Sequence, residues 1–118
     1  MQKILYTEEI LQHEIKTLAY NIAVDSIKHP QPPILICVLN GGFMFFTELV
    51  KNLKVDCEID FIRAKSYNGK HQGKISITKD IELDIKDRNV YLIDDIYETG
   101  NTIRYLTKHL QKQDPTNI

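Results

Sequence analysis

Residues 90–102 read Val90-Tyr91-Leu92-Ile93-Asp94-Asp95-Ile96-Tyr97-Glu98-Thr99-Gly100-Asn101-Thr102. The first four are apolar, as in a strand of a parallel sheet that is covered on both faces. Two adjacent carboxylates follow at once, and then a Thr-Gly-Asn-Thr turn. Beyond the turn, Ile103, Leu106 and Leu110 recur at helical spacing. The order of strand, acidic pair, turn and helix is typical of the carboxyl edge of an α/β sheet, where ligands bind.

The turn after the acidic pair has the chemistry of a phosphate site. Free N–H groups at a helix start, together with threonine hydroxyls, can hold a phosphate without Lys or Arg. Asp94 and Asp95 suit the hydroxyls of a ribose, and Mg²⁺ held largely through water. The alternative is a solvated acidic turn with ordinary helix capping, and the complete order of the features favours ligand binding.

Upstream of this segment, strand patterns alternate with helix patterns. After Thr7, an apolar stripe predicts a helix that ends before the proline-rich residues 29–33. The run Ile34–Leu39 predicts a buried strand, and Asn40-Gly41-Gly42 ends it. A second helix is predicted from Phe43 to Leu53. The stripe of the first helix consists of Leu11, Ile15, Leu18 and Ile22.

Residues 55–61 alternate between apolar and acidic side chains, which predicts a strand with one polar face. Ser66 to Gly73 is predicted to be a loop, Lys74 to Thr78 a short strand, and Asn89 to Ile93 the strand before the acidic pair. Strands that alternate with helices favour a parallel α/β sheet with right-handed crossovers.

Composition narrows the class of protein. The 118 residues favour a single globular domain, with 42% hydrophobic and 26% charged residues. Fifteen basic residues balance sixteen acidic ones, so no charge footprint indicates nucleic acid or a membrane surface as a partner. Cys37 and Cys57 lack the spacing of a metal site and are expected to be buried thiols, which indicates a reducing, cytoplasmic setting. The first residues carry no signal-peptide pattern.

Residues 90–102 resemble the phosphoribosyl-pyrophosphate signature of the type I phosphoribosyltransferases. The resemblance implies that Asp94 and Asp95 contact the ribose hydroxyls and lie near the metal. It also implies a parallel-sheet, Rossmann-like fold. The loop that wraps the 5-phosphate would consist of Glu98, Thr99, Gly100, Asn101 and Thr102.

Two further segments are similar to the hypoxanthine/guanine branch of that family. Residues 38–45 resemble its pyrophosphate loop, which implies substrate contacts at Leu39, Asn40 and Gly41 and a non-proline cis peptide after Leu39. Residues 60–67 resemble the strand that leads to its mobile catalytic loop, so Ser66 and Tyr67 would open a lid over the substrate.

The resemblance implies a Mg²⁺-dependent transfer of phosphoribosyl from phosphoribosyl pyrophosphate to hypoxanthine or guanine. Glu98 would be the catalytic base, although relatives usually have Asp there and often have Lys where Asn40 stands. A homodimer or homotetramer is implied, with Arg63 and Lys65 near an interface. The segments that hold the purine in the family come after the last helix, so residues 1–118 are expected to be one such domain that lacks its C-terminal part.

Two other functions stay open on the sequence. One is a regulatory relative that senses sugar phosphate without turnover, which Glu98 and the short C-terminus favour. The other is a phosphoribosyltransferase for xanthine or a pyrimidine, because the residues that choose the base cannot be assigned.

Overall fold

The computed structural model of the chain describes residues 8–66, 74–94 and 101–118. These residues form three helices and four strands, in the order that the sequence pattern predicted. In chain order they are α1 (Glu8–Ser26), β1 (Ile34–Leu39), α2 (Phe43–Asn52), β2 (Glu58–Ser66), β3 (Ile75–Lys79), β4 (Val90–Ile93) and α3 (Asn101–Gln111). None of the described helices is both long and apolar enough to cross a lipid bilayer.

The four strands form one mixed sheet in the order β3-β2-β1-β4. β1 lies in the centre and pairs in parallel with β2 and β4, which confirms the predicted α/β fold with a mostly parallel sheet. β3 pairs with β2 in the antiparallel sense. The connection from Ser66 to Ile75 explains this direction, because a parallel return would need a crossover of roughly a dozen residues or more.

The core lies on both faces of the sheet, as the apolar run of β1 predicted. On one face, Ala19 and Ile22 of α1 and Phe46 and Leu49 of α2 pack against Leu35, Cys37 and Ile93. On the other face, Leu106 and Leu110 of α3 pack against Ile34, Ile36, Val38 and Val90. Ile34, Leu35, Ile36 and Cys37 are fully buried in consequence.

β2 differs from its prediction in bounds and in the environment of its side chains. It begins at Glu58 rather than Val55 and continues through Ser66, which had been expected in the loop. The supposed polar face is partly buried, because Asp60 is 6% exposed whereas Ile59 is 44% exposed. Ile62 and Ala64 follow Asp60 into the cluster under α3. Alternation distinguishes the two faces of a strand, but it does not determine which neighbours will cover each face.

The buried carboxylate of Asp60 accepts hydrogen bonds from the backbone of the segment that follows β3. Its Oδ2 accepts backbone N–H bonds from Glu82 at 2.7 Å and from Leu83 at 2.9 Å. Its Oδ1 accepts the backbone N–H of Phe61 at 2.7 Å and lies 3.9 Å from Lys79 Nζ. The carboxylate therefore fixes residues 82–83 beside β2, where Leu83 packs against the core.

β4 is an outer strand of the described sheet. Its first residue, Val90, donates its N–H to the Asn117 carbonyl at 2.9 Å, and Asn89 forms a parallel bridge with Asn117. Along β4, a groove of about 450 Å³ opens between Ile22 of α1 and Thr107 of α3. Residues 117–118 therefore lie where a further parallel strand next to β4 would begin.

Tyr91 of β4 binds the end of α1 through polar groups. Its hydroxyl donates a hydrogen bond to the Asp25 carboxylate and accepts one from Asn89 Nδ2 at 3.0 Å. Burial, together with the bond to Asp25, raises the pKa of Tyr91 from its ordinary 10.0 to about 12. The Tyr91 hydroxyl is in turn the main cause that lowers the pKa of Asp25.

This raised pKa predicts a loss of stability at alkaline pH. Above pH 10.0 the unfolded chain releases the Tyr91 proton while the folded chain keeps it, so the contribution of this group is full below pH 10.0 and lost towards pH 12. Tyr91→Phe should lower the free energy of unfolding near neutral pH by about 1–2 kcal/mol. The deficit of the variant should then shrink through the alkaline window. Urea unfolding of both proteins across that window tests this, and a constant difference would contradict it.

Candidate active site

The carboxyl ends of β1, β2 and β4 meet at one edge of the sheet, because all three strands run in the same direction. Leu39, the last residue of β1, is in register with Arg63 of β2. β2 therefore extends three residues further, to Ser66, or about 10 Å. On the other side of β1, Cys37 is in register with Ile93, so Asp94 follows next to Val38. Ser66 and Asp94 thus flank the end of the central strand.

The loop from Asn40 to Gly42 connects the central strand to α2. The Leu39–Asn40 peptide bond is cis, which confirms the expectation from the resemblance. The Gly42 N–H donates to the Val38 carbonyl at 3.3 Å, and the Phe43 N–H donates to the Asn40 carbonyl at 3.3 Å. These bonds fold the loop back over the end of β1 and start the helix at Phe43.

The start of α2 is suited to an anion. Gly42 occupies the N-cap and makes no side-chain cap bond, and no acidic residue lies in the first turn. Nothing in this turn therefore offsets the positive potential that the N–H groups of a helix start produce. Phe43 and Met44, which are 50% and 73% exposed, border this end of the helix.

Gly42 lets this loop approach the acidic segment closely. A Cβ atom at position 42 would lie 3.4 Å from Asp94 Cα and 3.1 Å from the Val38 carbonyl oxygen. The backbone φ of Gly42 is −80°, so the glycine is needed for space and not for an unusual conformation. The pyrophosphate-type loop and the first residue of the acidic pair are therefore in direct backbone contact.

The charge of Asp94 acts on the strand beneath it. Burial, and secondly the Asp94 carboxylate, raise the pKa of the Cys37 thiol to about 11. Cys37 is fully buried and stays protonated at neutral pH, which agrees with the predicted role of a small core residue. Cys57 is also a free thiol, but it is only partly buried and lies before β2.

The structure gives a place to several of the predicted site residues. Leu39, Asn40, Gly41 and Asp94 lie at the carboxyl edge, and Ser66 ends β2 one strand away. Asn101 is the first residue of α3, and Thr102 is partly buried in its first turn. Four predicted residues of the acidic pair and phosphate loop, Asp95, Glu98, Thr99 and Gly100, lie outside the described residues, as does Tyr67 of the predicted lid.

Gly42 has a part in the site that the sequence did not assign. The second glycine of the Gly41-Gly42 pair was visible, but its function depends on the backbone of Asp94, more than 50 residues away in the chain. A pair of glycines after a strand is equally typical of a simple turn. Only the contact with the Asp94 backbone distinguishes a glycine that the site needs from a glycine in a simple turn.

The donor atoms at this edge suit a metal ion of a particular kind. Asp94 supplies a hard carboxylate oxygen, of the type that Mg²⁺ prefers. Among residues 8–66, 74–94 and 101–118, no group of three or more His, Cys, Asp or Glu side chains has the arrangement of a metal site. A carboxylate such as that of Asp94 fits Mg²⁺, which proteins usually hold through one or two carboxylates together with water and substrate phosphates.

Comparison with known proteins agrees with this geometry. The family model described as the phosphoribosyl transferase domain matches residues 1–118. The hypoxanthine-guanine-xanthine phosphoribosyltransferase of Tritrichomonas foetus is 34% identical over 119 residues, which cover 100% of this chain and 64% of that protein. The hypoxanthine-guanine phosphoribosyltransferase of Streptococcus pyogenes is 35% identical over 108 residues, or 90% of this chain and 59% of that one.

Solved structures show the same relationship. The crystal structure of a Bacillus anthracis hypoxanthine-guanine phosphoribosyltransferase has a TM-score of 0.84 at 34% identity and covers 99% of this chain and 66% of that chain. A Staphylococcus aureus hypoxanthine phosphoribosyltransferase has a TM-score of 0.86 at 30% identity, over 99% of this chain and 64% of that one. The chain thus spans less than two thirds of the length of the two curated relatives.

Proposed function

Because the chain belongs to the phosphoribosyl transferase domain family, we propose that it binds phosphoribosyl pyrophosphate and serves in phosphoribosyl transfer to hypoxanthine or guanine. The observation that carries the proposal is the contact between the Asn40–Gly42 loop and Asp94 at the carboxyl edge of three parallel strands. An anion-binding helix start and a carboxylate suited to sugar hydroxyls are thereby adjacent. A sugar bearing a pyrophosphate needs this combination.

In the proposed reaction, the bond between C1 of the ribose and the pyrophosphate oxygen breaks, and C1 bonds to N9 of the purine. The uncapped start of α2 and the loop before it would hold the pyrophosphate. Asp94, together with Asp95, would position the ribose through its hydroxyls. Glu98 would accept the proton that N7 of the purine releases. When bound, Mg²⁺ would neutralise charge on the pyrophosphate as it leaves.

The names of the relatives indicate which purine base the proposed reaction would use. The Streptococcus pyogenes relative is named for hypoxanthine and guanine, and the Tritrichomonas foetus relative is named for xanthine as well. We therefore propose a 6-oxopurine as the base, with xanthine as a second candidate. The free thiols of Cys37 and Cys57 suit the reducing cytoplasm that the proposal assigns to the protein.

The direct test is calorimetric titration of the chain with Mg²⁺ and phosphoribosyl pyrophosphate. We expect saturable binding that is weaker than a complete enzyme would show, because the chain spans only 64% of the Tritrichomonas foetus relative. We also expect residues 1–118 alone to make little or no inosine or guanosine monophosphate, since no purine clamp is assigned to them. Absence of binding would refute the proposal. Robust turnover by a chain verified by mass would show that the base pocket is formed by these residues.

The role of Glu98 as catalytic base can be tested separately from the sugar-phosphate site. In a complete, active polypeptide that contains this domain, Glu98→Gln should lower kcat by about 10²- to 10⁴-fold, since the amide cannot accept the N7 proton. Glu98→Asp should preserve or raise activity, and neither change should alter the affinity for phosphoribosyl pyrophosphate. Steady-state kinetics and calorimetry on the same samples provide both readouts. Normal turnover by the Gln variant would assign proton acceptance to another group.

A further inference from the structure

Beyond the end of β1, the described sheet continues as two strands. The parallel pairing of β1 with β2 ends at Leu39 and Arg63. Residues 64–66 of β2 continue in antiparallel pairing with residues 75–77 of β3. We call these six residues the ribbon. A two-stranded ribbon is only marginally stable by itself, so its direction depends on the contacts that hold its base.

A β-bulge lies at the base of the ribbon. Arg63 pairs with Lys79, but the next residue of β2 pairs with Ile77. Thr78 is therefore the extra residue of the bulge, and its hydroxyl donates to the Arg63 carbonyl at 3.3 Å. A bulge bends its strand and increases the local twist, and bulges are frequent beside active sites because they redirect side chains. This bulge is level with the last residue of β1, where the ribbon leaves the sheet.

The ammonium group of Lys79 joins the two strands at this bulge. Its Nζ donates to the Phe61 carbonyl of β2 at 3.0 Å and to the Asp80 carbonyl just after β3 at 3.0 Å. The Asp60 carboxylate lies 3.9 Å from the same nitrogen, and that of Glu82 lies 3.6 Å from it. An ammonium has three N–H groups, and two of them bind carbonyls of two different chain segments. We call these contacts the Lys79 clamp.

Partial burial makes the Lys79 clamp stronger than an ordinary surface ion pair. The Lys79 side chain is 36% exposed and that of Asp60 is 7% exposed, whereas Lys51 is 68% exposed in its pair with Glu48. Exposed pairs contribute little because water and salt screen them. Loss of the Lys79 ammonium would leave the Phe61 carbonyl without this donor, and a sheltered polar group that loses its partner is costly. The clamp therefore fixes the base of the ribbon.

We propose that Lys79 is a positioning residue for the substrate, because the clamp sets the direction in which the ribbon carries Ser66 to the site. The inference rests on the proposed function, which expects Ser66 to lie over the substrate. Ser66 is three residues, or about 10 Å, beyond Arg63. A small rotation at the base of the ribbon therefore becomes a larger displacement at Ser66. A misplacement of about 1 Å can cost about 10²-fold in rate.

Calorimetric titration of the chain with Mg²⁺ and phosphoribosyl pyrophosphate tests the inference. Lys79→Met keeps the aliphatic stem and removes the ammonium. It should weaken binding by about three- to tenfold, which corresponds to one lost hydrogen bond to the substrate. Thr78→Val removes only the hydroxyl at the bulge and should weaken binding by about twofold. Lys51→Met is the matched control, because it removes an exposed ammonium from a surface pair on α2, and it should bind as the unmodified chain does.

A double-mutant cycle with Ser66→Ala separates positioning from a general effect on stability. If Lys79 acts through Ser66, Lys79→Met should weaken binding by less than about twofold in the Ser66→Ala background, because the positioned contact is already absent. A purely structural lysine would weaken binding by the same factor in both backgrounds. Amide hydrogen exchange gives a second readout. Residues 75–77 should exchange at least about tenfold faster in Lys79→Met and at an unchanged rate in Lys51→Met.

Circular dichroism checks that each variant is folded, and Thr78→Val takes the place of Lys79→Met in the cycle if the latter unfolds. Unchanged affinity or unchanged exchange of residues 75–77 in the clamp variant would overturn the inference. So would equal factors in the two backgrounds, or a Ser66→Ala variant with full affinity. If the unmodified chain fails to bind at all, the proposed function is refuted instead, and the positioning role is refuted with it.

Discussion

Changing Asp94 and Asp95 together to Asn should weaken the binding of Mg²⁺ and phosphoribosyl pyrophosphate by about 10²- to 10⁴-fold. Each carboxylate is proposed to accept a hydrogen bond from a ribose hydroxyl, and a bond to a charged group contributes about 1.5–3 kcal/mol. Two such bonds give the stated range. Asn keeps the shape of the side chain but removes its charge, so the loss reports on the charge and not on packing.

Calorimetric titration of the chain measures this effect. The matched control is Asp56→Asn, an exposed acidic residue in the turn before β2, which should bind as the unmodified chain does. Thermal unfolding of the double variant should show that the sheet is intact. If the double variant keeps full affinity while the chain itself binds, the ribose is held by other groups and the assignment of the acidic pair is wrong.

Asp60→Ala should produce the largest loss of stability, about 3–5 kcal/mol in the free energy of unfolding. The change leaves the backbone N–H groups of Glu82 and Leu83 without their acceptor. Each unsatisfied buried donor costs about 1–3 kcal/mol. The ammonium of Lys79, 3.9 Å from the carboxylate, also loses its negative neighbour.

Urea unfolding near neutral pH gives this value directly. Asp60→Asn keeps one oxygen of the same reach and should cost about half as much. Asp56→Ala, an exposed neighbour four residues earlier, should change stability by no more than about 0.5 kcal/mol. Equal and small losses for Asp60→Ala and Asp56→Ala would mean that the 82–83 segment is held by its apolar contacts alone.

The sequence determined those parts of the fold that depend on local periodicity. The apolar spacing of α1 predicted that Ile15 and Ile22 would be buried, and the continuous run of β1 predicted cover on both faces. The bounds of β1 matched their prediction, Ile34–Leu39. Glycines and prolines end these elements, and their backbone restrictions act within a few residues. Such signals need no information from distant parts of the chain.

Part of the candidate site could also be predicted from the local sequence. The position of Asp94, directly after a strand at the carboxyl edge, followed from the order of residue types in one segment. The cis bond after Leu39 came from resemblance alone, because no local physical signal in a Leu-Asn pair indicates it. The roles of Asp95 and Glu98 stay predictions, as both lie outside the described residues.

Only the tertiary structure decided which distant groups meet. The sequence showed that apolar and acidic residues alternate in β2. The burial of Asp60, however, depends on the N–H groups of residues 82–83, which follow the antiparallel strand β3. The use of Gly42 depends on the backbone of Asp94, and the raised pKa of Tyr91 depends on Asp25 of α1. Periodicity shows which side chains share one face of a helix or strand. Packing against distant parts of the chain decides what covers that face.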